Sequence, residues 1–280
     1  MKKQIIAASA GIALVAILFF VGKTSLPKKP VTQTDTNTSQ LFDIQHYIKE
    51  SKAKASPSQS EILAKMENGI SRGNVKEQQI NAYEQLANFY KDSLKLFDPY
   101  AFYISEAAKL DNSEKKLTFA AHLFLDNLRR EHDDARLGWQ TSQAVDLFKK
   151  ALALDPENTD LKIGLGSSYI YGKQTGDVQQ TMLGIQELLS VVRKDSNNMK
   201  AQFVLGVGGA VSGQYDKAIE RFKKVMQAEP NNAEAAAFLG DTYAATGNKA
   251  EAVKWYNVSK RLVNNPAYSK EVDERIKSLK

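Results

Sequence analysis

The chain has 280 residues, enough for one long repeat array or two ordinary domains, and it contains no cysteine. That excludes disulfides, thiolate metal sites and a cysteine nucleophile. The formal net charge is +6, but five lysines against one aspartate in residues 1–40 supply four of those charges, so the remainder lacks the basic footprint of a nucleic-acid binder.

Gln4 to Gly22 is uncharged and rich in Ile, Leu, Val and Phe. As a helix it spans about 28 Å, against a hydrocarbon core of about 30 Å. A cleaved signal peptide has a shorter apolar core. Here Ala8-Ser9-Ala10 lies before most of that core, and Val21-Gly22-Lys23 is a poor cleavage site. Residues 1–22 are therefore expected to be a transmembrane anchor or an uncleaved signal. Lys2 and Lys3 crowd the short N-terminal tail, which favours that end in the cytoplasm and the rest beyond the inner membrane, facing the periplasm. Residues 23–40 read KTSLPKKPVTQTDTNTSQ, the composition of an unstructured linker.

From Leu41 the pattern is helical. Leu41, Ile44 and Ile48 share one face, Pro57 interrupts, and Ser58 to Glu61 reads as a capping box before Ile62, Met66 and Ile70. Gly73 ends that helix, and Ile80, Tyr83, Leu86, Ala87 and Tyr90 mark the next. No sustained alternation of period two supports a sheet.

A period of 34 residues then organises the chain. Leu205-Gly206 recurs as Leu239-Gly240, Gly213 as Gly247, Ala218 as Ala252 and Phe222 as Tyr256, the signature of stacked helix–turn–helix units. An earlier unit has Leu165, Gly166 and Tyr169, with a second helix displaced by about six residues around Gly172–Asp177. Another has Ala144, Phe148, Ala151 and Pro156, with Leu117–Leu128 as first helix, and a degenerate unit spans Ile80–Asn112. Helix-interior Gly costs about 1 kcal/mol relative to Ala, so Gly206, Gly208 and Gly209 imply close helix contact. The chain closes with a helix begun by Asn264-Asn265-Pro266, with Tyr268, Val272, Ile276 and Leu279 on one face.

These residues resemble the tetratricopeptide repeat, most closely over 199–266. The expected fold is all-α: a right-handed α-solenoid of such repeats over 114–266, preceded by a helical region with a degenerate repeat over 41–113 and followed by a capping helix over 267–280. The resemblance implies a non-catalytic protein whose first helices line a concave face that takes a protein or peptide segment. Carried over by register, that face holds Ile163, Ser167, Ile170 and Tyr171, then Phe203, Val207, Ala210 and Val211, then Ala237, Asp241 and Ala244. A carboxylate-gripping subset of the family uses Lys and Asn there. Asn88 fits one place, but Glu84 stands where Lys is needed, and Phe203 and Val207 replace the polar pair. Periodicity alone leaves open whether Phe203 and Val207 face the groove or the core.

Catalytic motifs fail on context. Gly22-Lys23-Thr24 lacks the earlier glycine of a phosphate loop, and Gly166 to Gly172-Lys173 lacks its spacing and hydroxyl. Gly206-Val207-Gly208-Gly209 falls within a helical pattern rather than after a strand. His46, His122 and His132 form no two-His helical pair, and His132-Asp133-Asp134 reads as a polar loop. No enzyme activity, cofactor, metal, nucleic acid or small-molecule substrate is expected. The functional expectation is a membrane-anchored scaffold or adaptor for cell-envelope assembly, secretion or cytochrome maturation; the alternative is an envelope chaperone that holds unfolded clients in an apolar groove.

Overall fold

A computed structural model describes residues 42–72, 75–172 and 178–279. The expected anchor and linker lie outside the described residues, as does the Lys173–Asp177 part of the expected insertion. Among the described residues there are thirteen helices and no strand: α1 Ile44–Ala53, α2 Pro57–Arg72, α3 Lys76–Asp92, α4 Phe97–Asp111, α5 Glu114–Leu128, α6 Asp134–Leu154, α7 Thr159–Tyr171, α8 Val178–Lys194, α9 Met199–Val211, α10 Tyr215–Ala228, α11 Ala233–Ala245, α12 Lys249–Val263 and α13 Pro266–Ser278. None of them is long and apolar enough to cross a membrane.

The helices pair in sequence, α3 with α4 through α11 with α12, and each pair stacks on the next. The first helices of successive pairs also touch, α5 with α7, α7 with α9 and α9 with α11. They form one wall of the array, as stacked repeats require. α13 packs on α12 with Val272 buried and Tyr268, Ile276 and Leu279 against the core, and so closes the last pair.

Asparagines set where the first helices begin. Asn158, Asn198 and Asn232 each accept a backbone N–H three residues on, from Leu161 (3.2 Å), Ala201 (3.0 Å) and Ala235 (2.9 Å). Such caps contribute about 1 kcal/mol each. Gly213 (φ 76°) and Gly247 (φ 77°) make the left-handed turns from first to second helix in the last two pairs. α2 begins one residue before the expected capping box. Pro57 takes its first turn, and the reciprocal pair is Ser56 with Gln59: Ser56 N–H donates to Gln59 Oε1 (2.9 Å) and Gln59 N–H to Ser56 Oγ (3.3 Å). Proline lacks the N–H a cap would satisfy, which places the box around it.

The small residues mark close helix approach. A Cβ on Gly166 would lie 2.7 Å from Leu188, on Gly206 2.6 Å from the Phe222 ring and on Gly240 2.4 Å from the Tyr256 ring. Phe148, Phe222, Leu188 and Leu239 are fully enclosed around these contacts. At the N-terminal end Tyr83, Tyr90 and Tyr103 stack with ring centroids 5.6–6.2 Å apart.

A buried polar knot ties α4, α5 and α6. Gln140 Nε2 donates to Asp98 Oδ1 (2.8 Å), and Asn127 Nδ2 donates to Gln140 Oε1 (3.0 Å). Arg136 lies 3.8 Å from Asp98 and stacks near the rings of Phe42 and Tyr47. Burial raises the Asp98 carboxyl above its ordinary range, against lowering by Gln140 and Arg136. A raised folded-state value means that the Asp98 contribution is complete below the unfolded value and is lost as pH rises through the folded one. The stability of the native chain minus that of Asp98→Asn is therefore expected to increase as pH falls from 7 to about 4. Urea unfolding at successive pH values measures this difference; a constant difference would contradict it.

Candidate functional site

The inner wall carries an open groove of about 1100 Å³ across α5, α7 and α9. α5 lines it with Thr118, His122, Leu125 and Asp126, and Arg129 and Arg130 follow at its C-terminal end. α7 contributes Asp160, Ile163, Gly164, Ser167 and Tyr171, and α9 contributes Lys200, Phe203 and Val204. Residues at helical spacing recur on the same side of each helix, so three stacked helices give a continuous strip rather than isolated contacts.

The strip is aromatic in the middle and charged at its margins. Phe203 meets Phe222 edge-on at 5.7 Å and Phe238 at 5.5 Å, so its ring is held by a second layer. His122 packs edge-on against the enclosed Phe148 at 5.2 Å. Tyr171 lies under the Arg129 guanidinium, 5.2 Å from ring centroid to charge, within reach of a cation–π attraction. Burial pushes the Tyr171 phenol up to about 12, with Arg129 opposing that rise and Glu234 adding to it. Tyr171 is thus neutral at physiological pH and available as a donor. Asp160 and Lys200 pair across α7 and α9 at 3.9 Å, both largely exposed.

The residues expected on the concave face divide. Tyr171 and Phe203 line the groove half-buried, while Ile163 and Ser167, 7% and 4% exposed, form its packed floor. Ile170 and Val207 are enclosed in the core with Ala210 packed against it. Val211 is exposed at the end of α9. Ala237 and Ala244 are half-buried on α11. Asp241 accepts from Tyr256 Oη (2.7 Å) and Arg275 Nη1 (2.9 Å), a bond between the last pair and α13. Glu84 pairs with Lys116, which also reaches Asp111, so it ties α3 and α4 to α5. Asp133 caps α6, and among the described residues no group of three acidic or histidine side chains is placed to hold a metal.

Register missed the α5 wall. α6 has 21 residues against 14 and 15 in α10 and α12. Its added N-terminal turn carries Arg136 and Trp139, so the interval from α5 to Phe148 departs from the 34-residue pattern. The signal that finds it is Ala121, a fully buried small residue at the place of Gly166. From there Thr118, His122 and Leu125 match Ile163, Ser167 and Ile170.

A family profile described as "Tetratricopeptide repeat" matches residues 212–270. The chain is 27% identical over 157 residues to BBSome complex member BBS4 of Bos taurus, covering 56% of this chain and 26% of that protein. The chain thus spans about a quarter of the length of that curated relative. Among solved structures, TTC0263, a thermophilic tetratricopeptide-repeat protein of Thermus thermophilus, superposes with a TM-score of 0.51 at 17% identity, covering 71% of this chain and 98% of that one. YrrB, described as a tetratricopeptide-repeat protein with an unusual peptide-binding site, gives a TM-score of 0.45 at 22% identity, covering 69% and 91%. The profile match covers α10 to α12, so residues 212–270 carry the tetratricopeptide repeat, and the same helix pairing runs back to α3.

Proposed function

We propose that the array is a non-catalytic scaffold that holds a segment of a partner protein in the α5–α7–α9 groove. The observation that carries this reading is the groove itself. It is long, open and lined by Phe203, Tyr171 and Ile163 between charged margins. Aromatic anchors flanked by polar groups suit one defined segment. An uncharged apolar trough would suit unfolded clients better, so the lining favours the adaptor over the chaperone. We extend the proposal to location: residues 4–22 tether the array to the inner membrane, with the repeats on the periplasmic side, in service of envelope assembly, secretion or cytochrome maturation. The uninterrupted apolar stretch and the lysines of the short N-terminal tail support that extension.

Two measurements test it. A photoreactive residue at Lys200, on the groove, is expected to crosslink one protein in stoichiometric yield in intact cells, whereas one at the exposed Glu220 on α10 is not. Equal crosslinking at both positions would remove the groove from the account. Protease added to spheroplasts is expected to degrade the array; full protection until lysis would reverse the proposed orientation.

A further inference from the structure

One ion pair crosses the groove. Arg129, just beyond the end of α5, pairs with Glu234 in the first turn of α11, reaching past α7 and α9. By register Glu234 follows Lys200 by 34 residues, and Asp160 precedes Lys200 by 40, the period plus the six-residue insertion. Asp160 and Lys200 pair between adjacent helices. Glu234, at the same place in the next repeat, instead spans to Arg129. There it meets a guanidinium already seated over the Tyr171 ring. Arg130 beside it forms no side-chain hydrogen bond or ion pair among the described residues, and both arginines line the groove. This end of the groove is therefore a cationic site with an aromatic floor, filled by a carboxylate of the chain itself.

We propose that Glu234 is a built-in competitor at this site, displaced by a partner segment that carries a carboxylate beside an apolar side chain. The inference rests on the groove reading and narrows its partner to an acidic, amphipathic peptide. Charge complementarity supports it: the site already accepts a carboxylate, and Arg130 adds a second cation. The clasp is suited to exchange. Arg129 and Glu234 are 46% and 43% exposed, and pairs so exposed are weak and screened by salt. Swapping one carboxylate for another keeps the Arg129 charge paired throughout. The apolar side chain of the incoming segment then seats against the half-buried Phe203.

The test uses peptides of about twelve residues selected from a random display library on the full-length chain, and the same peptides with each Asp or Glu changed to Asn or Gln. Glu234→Gln is expected to tighten binding of the acidic peptides about three- to fivefold, the scale of one exposed ion pair. Arg129→Gln is expected to weaken it by a similar factor, and the neutralised peptides respond to neither substitution. If both substitutions tighten binding equally, the pair is only a strap and the anion site is refuted. Unchanged affinity in Glu234→Gln, with binding still lost on filling the groove by Thr118→Trp, refutes the competitor while leaving the groove reading intact. Peptides indifferent to Thr118→Trp refute both.

Discussion

Val207→Glu is expected to unfold the repeat array, with a loss of about 4 kcal/mol or more. Val207 is 4% exposed, and its register equivalents explain why a carboxylate fails there. One repeat later the same place holds Asp241, whose charge is met by Tyr256 and Arg275. Shifted back by 34 residues, those two partners become Phe222 and Asp241 itself. A glutamate at 207 would thus face a ring without a hydroxyl and a second carboxylate. Adding Phe222→Tyr to Val207→Asp imports half of the natural arrangement and is expected to recover part of the loss. Urea unfolding followed by circular dichroism reads the effect. A Val207→Glu protein with unchanged stability would put Val207 on the open face instead.

Gly240→Leu is expected to cost about 3 kcal/mol, the upper part of the range for overpacking. Even a Cβ meets Tyr256 Cδ1 at 2.4 Å. That ring cannot swing aside freely, because its hydroxyl is held by Asp241 at 2.7 Å. The earlier repeat with Gly166 uses Leu188 at the equivalent place, a side chain with more freedom to turn. Gly240→Ala combined with Tyr256→Leu is therefore expected to lose less than the sum of the two single changes, with a coupling of about 1 kcal/mol. Strict additivity would mean that the two residues do not share the contact.

The repeat was legible because the physics that builds it acts on residue type at fixed spacing. Gly206 and Gly240 are small where a ring presses, and Gly213 and Gly247 turn the chain where φ is positive. The cap was legible for a similar reason, since Pro266 and the Tyr268–Leu279 stripe are local signals. The groove was only half legible. α9 touches helices on several sides, α7, α8, α10 and α11, so nearly all of MKAQFVLGVGGAV is apolar and no stripe distinguishes Phe203, which lines the groove, from Val207, which does not. Ile170 is lost from the groove by the same enclosure. The α5 wall was hidden by the length of α6, and the Arg129–Glu234 pair joins residues 105 apart, a separation that no local pattern encodes.

The most direct test of the account fills the groove without touching the core. Thr118 is half-buried on α5 and lines the groove opposite Phe203 and Lys200 by way of α7. A tryptophan there projects into open space and removes only the hydroxyl bond to Glu114. The affinity of library-selected peptides for full-length Thr118→Trp, measured beside its melting temperature, decides the matter. The account expects at least about a tenfold loss of affinity, the scale of one blocked anchor, with melting nearly unchanged. Unchanged affinity in a folded Thr118→Trp protein would contradict the claim that this groove is where the chain holds its partner.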